Sequence, residues 1–416
     1  MLRQGVTPVH RRNTLTRRAA LPLILLAGCG SASLDVHPST APVRGQATSA
    51  KASPLPVTPP SPGNDGRHSP FTIAVIPDTQ EYTTSRTGAQ IFRTQTSWIA
   101  AHVAELGIAL VLHEGDLVDN VNSEEEWHIA TQAMGQLNGV VPYVIAAGNH
   151  DLIRYREGGA GSKAVPGQYI GGDRFDEFFP MTTFLAQNSP TFEMAGSFDG
   201  QSHNTYSLFS AGGADYLLIN IEFGARDEVL AWADGIAKAH AGRPAILLTH
   251  DYLGSDDELR GSRDCSGYPA GVECVPEDAL PGGPGGTPMP SPNTGLQMWE
   301  KLVATNSNIV MTLNGHIARV EESAMVDGVR VTVRAKSTAA GATGRRITTR
   351  PDGTVVAQML ANYQMMMPTG GDGYLRLITV EPGAGTLSVR TYSPWLDRYL
   401  TDDGNEFTVT GLALGA

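Results

Sequence analysis

The chain has 416 residues, and its 42 Asp and Glu outnumber 30 Lys and Arg, for a formal charge of -12. A surface that acidic repels polyanions, which disfavours a nucleic-acid partner outside a locally basic patch. The length would hold two or three average domains, but α/β folds with decorated loops reach it as one unit, so one large domain with a tail is expected.

Residues 1–28 contain Arg3, Arg11, Arg12, Arg17 and Arg18, no acid, and the short apolar run Ala19 to Ala27. This is a signal-peptide pattern, shorter than the roughly 20 residues a spanning helix needs. Leu26-Ala27-Gly28-Cys29 resembles the lipobox of bacterial lipoproteins, in which Cys29 becomes the acylated first residue of an exported chain held at the cell membrane. Arg17-Arg18 resembles a twin-arginine export signal without its fuller pattern, and an ordinary cleaved signal with an incidental Cys is the alternative. Loss of the five arginines from 30 basic residues leaves 25 against 42 acids, a charge of -17. Residues 29–69, rich in Ser, Pro, Ala and Thr, bury too little surface to offset the entropy of ordering and are expected to form a disordered tether.

The folded domain is expected over residues 70–416. FTIAVIP predicts a strand; Ile91, Trp98, Ile99, Val103 and Leu106 share one helical face; IALVLHEGD predicts the next strand. Ser123 with Glu126 predicts a capping box for a helix that buries Trp127, Ala130, Met134 and Leu137. VVPYVIAAGNHD completes a strand, helix, strand, helix, strand order, the signature of a parallel sheet. Residues 152–200 are loop-rich and suggest an excursion over the site, and NTYSLFSAGGADYLLINIE predicts a hairpin turning at Gly212-Gly213. A helix from Arg226 to His240, the strand PAILLTHDY, a Pro/Gly-rich insertion over 254–294, a helix around Leu296 to Ala304 and the strand NIVMTLNGH follow. The remainder is strand-like throughout, which suggests two packed sheets in one domain. In the insertion, Cys265 and Cys274 read as a local disulfide in an exported chain, with two unpaired thiols as the alternative. A zinc site there is poorly supported, because no further Cys or His lies nearby.

Five apolar runs end alike, at Asp78-Thr79-Gln80, Gly115-Asp116 with Asp119, Gly148-Asn149-His150-Asp151, Thr249-His250 and Gly315-His316. One Gly-Asp after a strand is more often a turn closed by an Asx hydrogen bond. Five such ends in a parallel α/β sheet converge on one rim and gather carboxylate, amide and imidazole ligands with no thiolate. Two cations about 3.5–4 Å apart can polarise a phosphoryl oxygen and supply a hydroxide, with a shared carboxylate relieving their repulsion. Asp116 is the natural bridge.

The order DxQ, GDxxD, GNHD, H, GH closely resembles the calcineurin-like metallophosphoesterases, over roughly residues 71–390 by the usual domain span. The resemblance implies a four-layer α/β/β/α sandwich with two packed mixed sheets and two divalent metals at the loops. One site would take Asp116, Asn149, His250 and His316 and hold Mn, Fe or Zn. His150 would be the general acid or phosphate contact, with Asp119 as its carboxylate partner. The other site departs from the family, whose Asp-x-His is here Asp78-Thr79-Gln80 and whose Gly-His-x-His is Gly315-His316-Ile317-Ala318. Asp78, Gln80 and bridging Asp116 remain, an oxygen-only set that favours a weakly held hard ion such as Mn, Mg or Ca.

The implied activity is hydrolysis of a phosphoester, mono- or diester, by metal-bound hydroxide, on a phosphorylated small molecule or lipid. The two departures motivate a rival, a noncatalytic surface protein binding a phosphorylated ligand on a degenerate phosphoesterase scaffold. Arg345 and Arg346 are the basic pair that would meet phosphate oxygens, with plain exposed arginines as the alternative. His113, inside its strand, is expected to be packed and satisfied. Asn362-Tyr363-Gln364 is expected near the rim, resembling a stretch in exported relatives, with no role assigned to it.

Overall fold

Alternation along the strands decides the layering. In the strand Ala214–Asn220, Leu217 and Ile219 turn to one apolar cluster and Tyr216 and Leu218 to another, and Ala245–Leu248 divides the same way, with Ala245 and Leu247 against Ile246 and Leu248. Strands apolar on both faces must be covered on both. The computed structural model describes residues 68–155, 164–169, 172–261, 293–326, 329–336, 340–366 and 368–415. The expected signal peptide, the tether up to residue 67, Cys29 and the Cys265–Cys274 pair lie outside the described residues.

In chain order the strands are β1 (Phe71–Ile76), β2 (Ile108–His113), β3 (Tyr143–Ile145), β4 (Ile153–Tyr155), β5 (Ala164–Tyr169) and β6 (Phe192–Ser197). Then come β7 (Thr205–Ala211), β8 (Ala214–Asn220), β9 (Ala245–Leu248), β10 (Ile309–Asn314), β11 (Val320–Val326) and β12 (Val329–Lys336). The last six are β13 (Ala342–Thr349), β14 (Val355–Asn362), β15 (Leu375–Glu381), β16 (Thr386–Ser393), β17 (Arg398–Leu400) and β18 (Glu406–Thr410). One seven-stranded sheet has the order β17-β16-β15-β1-β2-β3, with β18 also on β16; the other runs β13-β14-β10-β9-β8-β7-β6. Both are mixed: β1, β2 and β3 pair in parallel while β15 joins β1 antiparallel, and β14, β10, β9 and β8 are parallel between antiparallel edges.

The helix Arg86–Leu106 packs on β1 and β2 and against the helix Glu124–Met134, while Asp227–Ala239 packs on β8. Helix, sheet, sheet, helix is the expected four-layer order. Local chemistry sets the helix ends. Ser85 accepts from Gly88 N at the start of the long helix, and Gly107 closes it at φ 61°. At Glu124–Met134 only half of the expected capping box forms: Ser123 accepts from Glu126 N, but the Glu126 carboxylate reaches elsewhere. The hairpin turn falls at Gly212-Gly213, at φ 60° and 82°, where a primed turn needs left-handed backbone.

Two expectations change. The five strand ends do not come from one parallel sheet: β1, β2 and β3 lie in one sheet and β9 and β10 in the other. The described part of 152–200 is also more ordered than a loop, with the helices Asp173–Phe178 and Met181–Leu185 and the edge strand β6. Among the described residues no helix is long and apolar enough to cross a membrane.

Candidate metal centre

β2 stops at His113, and the chain turns through Gly115 into Asp116 at φ 50°; β10 stops at Asn314 and turns through Gly315 into His316 at φ 69°. Left-handed backbone at residues other than glycine persists where surroundings over-determine it, and such positions concentrate at ligand sites. The motif glycines have a spatial reason. A Cβ on Gly148 would strike Asp116 Oδ1, one on Gly315 would strike Asp78 Oδ1, and one on Gly115 would strike His250 Nδ1. Each glycine therefore makes room for a polar side chain from a different motif.

His250 Nδ1 lies 2.7 Å from the Glu114 carbonyl, which fixes that nitrogen as the donor and turns Nε2 inward. Nε2 is 3.1 Å from Asp116 Oδ2 and 3.2 Å from Asn149 Oδ1, and His316 Nδ1 is 2.8 Å from the same Asn149 oxygen. The ligand atoms of Asp116, His250 and His316 all lie within 4.8 Å of one another. Burial works against charge on His250, yet Asp116 and then Asp78 outweigh it and push the imidazole up to about 10. The cluster thus draws positive charge to the point where its acceptors meet. A divalent cation meets the same demand, and carboxylate, amide and imidazole donors suit one. Burial raises the Asp116 carboxyl, but the imidazoles, His250 foremost, hold it well below the usual range. Burial pushes His316 down to about 4, so its ring is neutral and a competent ligand near neutral pH. Asp78 is pushed up to about 8, by burial first, with His250 opposing and Asp116 adding.

A ring of further contacts holds the cluster. Asp151, fully buried, accepts from Leu117 N at 3.0 Å and Val118 N at 3.3 Å through Oδ1 and from Gly148 N at 2.8 Å through Oδ2, tying the GNHD turn to the GDxxD loop. Glu126 Oε2 accepts from Asp119 N and Asn120 N, both at 2.8 Å, so the helix expected to keep its Glu for its own cap lends it to the same loop. His113 is buried as expected, pushed down to about 3 by burial; its Nδ1 accepts from Gly115 N, and Nε2 lies 3.0 Å from Thr79 Oγ1. Behind the imidazoles, Phe223 packs at 5.7 Å from His250 and 5.2 Å from His316 between ring centroids. Its neighbour Glu222 lies in a buried chain, with Arg226 Nε at 2.7 Å and His203 Nε2 at 3.4 Å, and His203 Nδ1 reaches Asp176 at 3.0 Å.

The structure brings Asp116, Asn149, His250 and His316 together as a set. His150 joins through its main chain, donating to Asp116 Oδ1 at 2.9 Å. Its Nδ1 meets the Asp119 carbonyl at 2.7 Å, with the Asp119 carboxylate further off at 3.5 Å, so the expected carboxylate pairing is chiefly a main-chain contact. Asp78 and Gln80 stand outside the compact trio: Asp78 Oδ2 takes hydrogen bonds from Asn362 Nδ2 at 2.7 Å and His316 N at 3.2 Å, and Gln80 Nε2 donates to Gln364 Oε1 at 2.6 Å. Arg345 and Arg346 are not brought to the cluster. Arg346 binds Glu258 at 2.8 Å and the Asp257 carbonyl, and Arg345 reaches the Asp403 carbonyl over the Phe407 ring. Missed entirely was Asp251, buried with Oδ2 3.9 Å from His316 Nε2 and Oδ1 3.2 Å from Arg260; its only sequence signal was its place beside His250.

The model of the calcineurin-like phosphoesterase family matches residues 71–279, and the chain belongs to that family. A curated relative, the uncharacterized protein YvnB of Bacillus subtilis, is 32% identical over 327 residues, covering 78% of this chain. The chain spans only 20% of that relative's length. Among solved structures, a purple acid phosphatase from yellow lupin seeds is 13% identical, covering 83% of this chain and 54% of its own, at a TM-score of 0.44. A dimetal phosphatase from Danio rerio is 10% identical, covering 82% and 98%, at 0.44.

Proposed function

We infer that the chain hydrolyses a phosphoester with the help of divalent cations. The observation that carries this is the convergence of Asp116, Asn149, His250 and His316 with His150 fastened to Asp116 at 2.9 Å. A cation bound there polarises a phosphoryl oxygen and acidifies water. The residues supply the rest. Glu114 sets which nitrogen His250 turns inward, Asp151 and Gly148 hold the two acidic loops together, and Asp119 engages His150 Nδ1, so that proton donation to the leaving oxygen falls to Nε2. His150→Ala and Asp116→Ala are each expected to remove hydrolysis of a generic phosphoester, the first by about 100-fold or more, with the protein still folded by circular dichroism. Full activity in both variants overturns the assignment.

The same reading places the enzyme outside the cytoplasm, tethered through Cys29, on the strength of the arginine-rich start and Leu26-Ala27-Gly28-Cys29. The substrate class that fits is a phosphorylated small molecule or lipid. Cys29→Ser should shift the protein from the membrane to the soluble fraction; unchanged partition removes the anchor. The noncatalytic alternative rests on Gln80 and Ala318, which replace the family's histidines, and a panel of monoesters and diesters with added manganese separates the two.

A further inference from the structure

The half of the site that lacks histidines is not left bare. Gln80 opens the short helix Gln80–Thr83 that follows β1, Gln364 lies just beyond β14, 284 positions away, and their amides meet at 2.6 Å with Gln80 donating. Gln364 N in turn donates to Asn362 Oδ1 at 3.0 Å, and Asn362 Nδ2 donates to Asp78 Oδ2 at 2.7 Å. Asp78, Asn362, Gln364 and Gln80 are thereby linked in one circuit, all four buried. The circuit uses hydrogen-bond donors of Gln80, Gln364 and Asn362. It leaves Gln80 Oε1, in a residue only 6% exposed, as a buried acceptor with no partner. Buried acceptors are rarely left unmet. A buried amide oxygen two residues along the chain from the Asp78 carboxylate is a candidate ligand for a hard cation.

Resting on the hydrolase reading, we propose that Gln364, supported by Asn362, is the positioning residue that makes Gln80 a ligand. The end of β14 thereby rebuilds the histidine-poor half as a carboxamide and carboxylate site for an exchangeable hard divalent cation. Gln364 acts through Gln80: with Gln364 Oε1 accepting the Gln80 Nε2 hydrogen, Gln80 Oε1 is the amide atom left without a protein partner. A carboxamide can present either its oxygen or its NH2, and only the oxygen binds a cation. The Ala318 position, which offers no ligand atom, is offset from a strand the family motifs do not mark.

The test is manganese binding to the purified chain, followed by electron paramagnetic resonance and calorimetry, after chelation and step-wise reloading. The wild type is expected to bind one ion tightly and a second at least tenfold more weakly. Gln364→Met, similar in length and without an acceptor, should weaken the second ion at least tenfold and leave the first unchanged. Gln364→Glu, which still accepts from Gln80, should restore it. Melting of each chelated variant within a few degrees of wild type shows that folding is intact; if Gln364→Met fails this, the Gln364→Glu and Gln80→Met pair carries the comparison. The proposal is overturned if Gln364→Met binds the second ion as wild type does, or if both ions weaken together. If the binding pattern holds but no phosphoester is cleaved, this inference stands and the hydrolase reading falls.

Discussion

The two halves of the centre solve one problem with different materials. The imidazole half takes its ligands from both sheets, and three of them are set by the main chain: a carbonyl behind His250, left-handed backbone at Asp116 and His316, and room left at Gly148 and Gly115 for Asp116 and His250. The amide half takes Asp78 and Gln80 from one strand end and corrects their orientation through side chains, Asn362 and Gln364, from another. Backbone-held ligands are preorganised and lose little entropy on binding, while side chains that orient one another must be ordered together. The difference teaches that loss of two histidines need not empty a site. On the proposal above, it moves the positioning from backbone to a circuit of amides and lowers the affinity.

The largest expected contrast is between His250→Ala and Gln80→Ala. The first should abolish activity and release the tightly held ion, and the second should cost only the weak ion, read by metal content after dialysis; equal ion loss in both would erase the distinction between the halves. Next is Asp151→Ala, which leaves the buried N–H groups of Leu117, Val118 and Gly148 without their acceptor and should destabilise the fold by about 3 kcal/mol or more in urea melts. A smaller effect comes from the support beneath the imidazole half. Burial opposes charge on His203, but hydrogen bonds to Asp176 and Glu222 raise it from 6.5 to about 9. Its contribution to stability is therefore complete below pH 6.5 and is lost as pH rises through 9. Glu222, lowered from 4.5 to about 2 by His203 and Arg226 against the effect of burial, contributes above 4.5 and is lost as pH falls through 2. The melting temperature of the chelated protein should be highest between those limits and fall by a few degrees toward pH 9, and His203→Gln should flatten the alkaline slope. Smallest of all, Arg346→Ala should change turnover by less than about twofold, since its guanidinium is held by Glu258 in a half-buried pair; a tenfold loss would return it to the substrate.

Much of this centre was legible because glycine followed by a polar residue after an apolar run is a local signal, and it recurs at Gly115, Gly148 and Gly315. The membership of those runs in two sheets was not legible. β9 and β10 are apolar on both faces as β1 and β2 are, and only pairing across long sequence separations sorts them. Glu126 had the right spacing for a capping box, but three-residue spacing says nothing of the Asp119 and Asn120 N–H groups that compete for its carboxylate. Asp119 was read through its side chain, while His150 uses its carbonyl, a group every residue carries and no sequence can mark. Gln364 was visible only as part of a suggestive tripeptide, because its partner lies 284 positions away.

Asp116 leaves β2 of one sheet, while His250 and His316 leave β9 and β10 of the other. An ion shared by the three is therefore a rivet through the sandwich, and sliding one sheet against the other would shear its ligands apart. Ligation adds to folding stability by mass action, about 4 kcal/mol at a thousandfold excess over the dissociation constant. A chelator would then leave the sandwich folded but lower the melting temperature of both sheets together rather than fraying one loop.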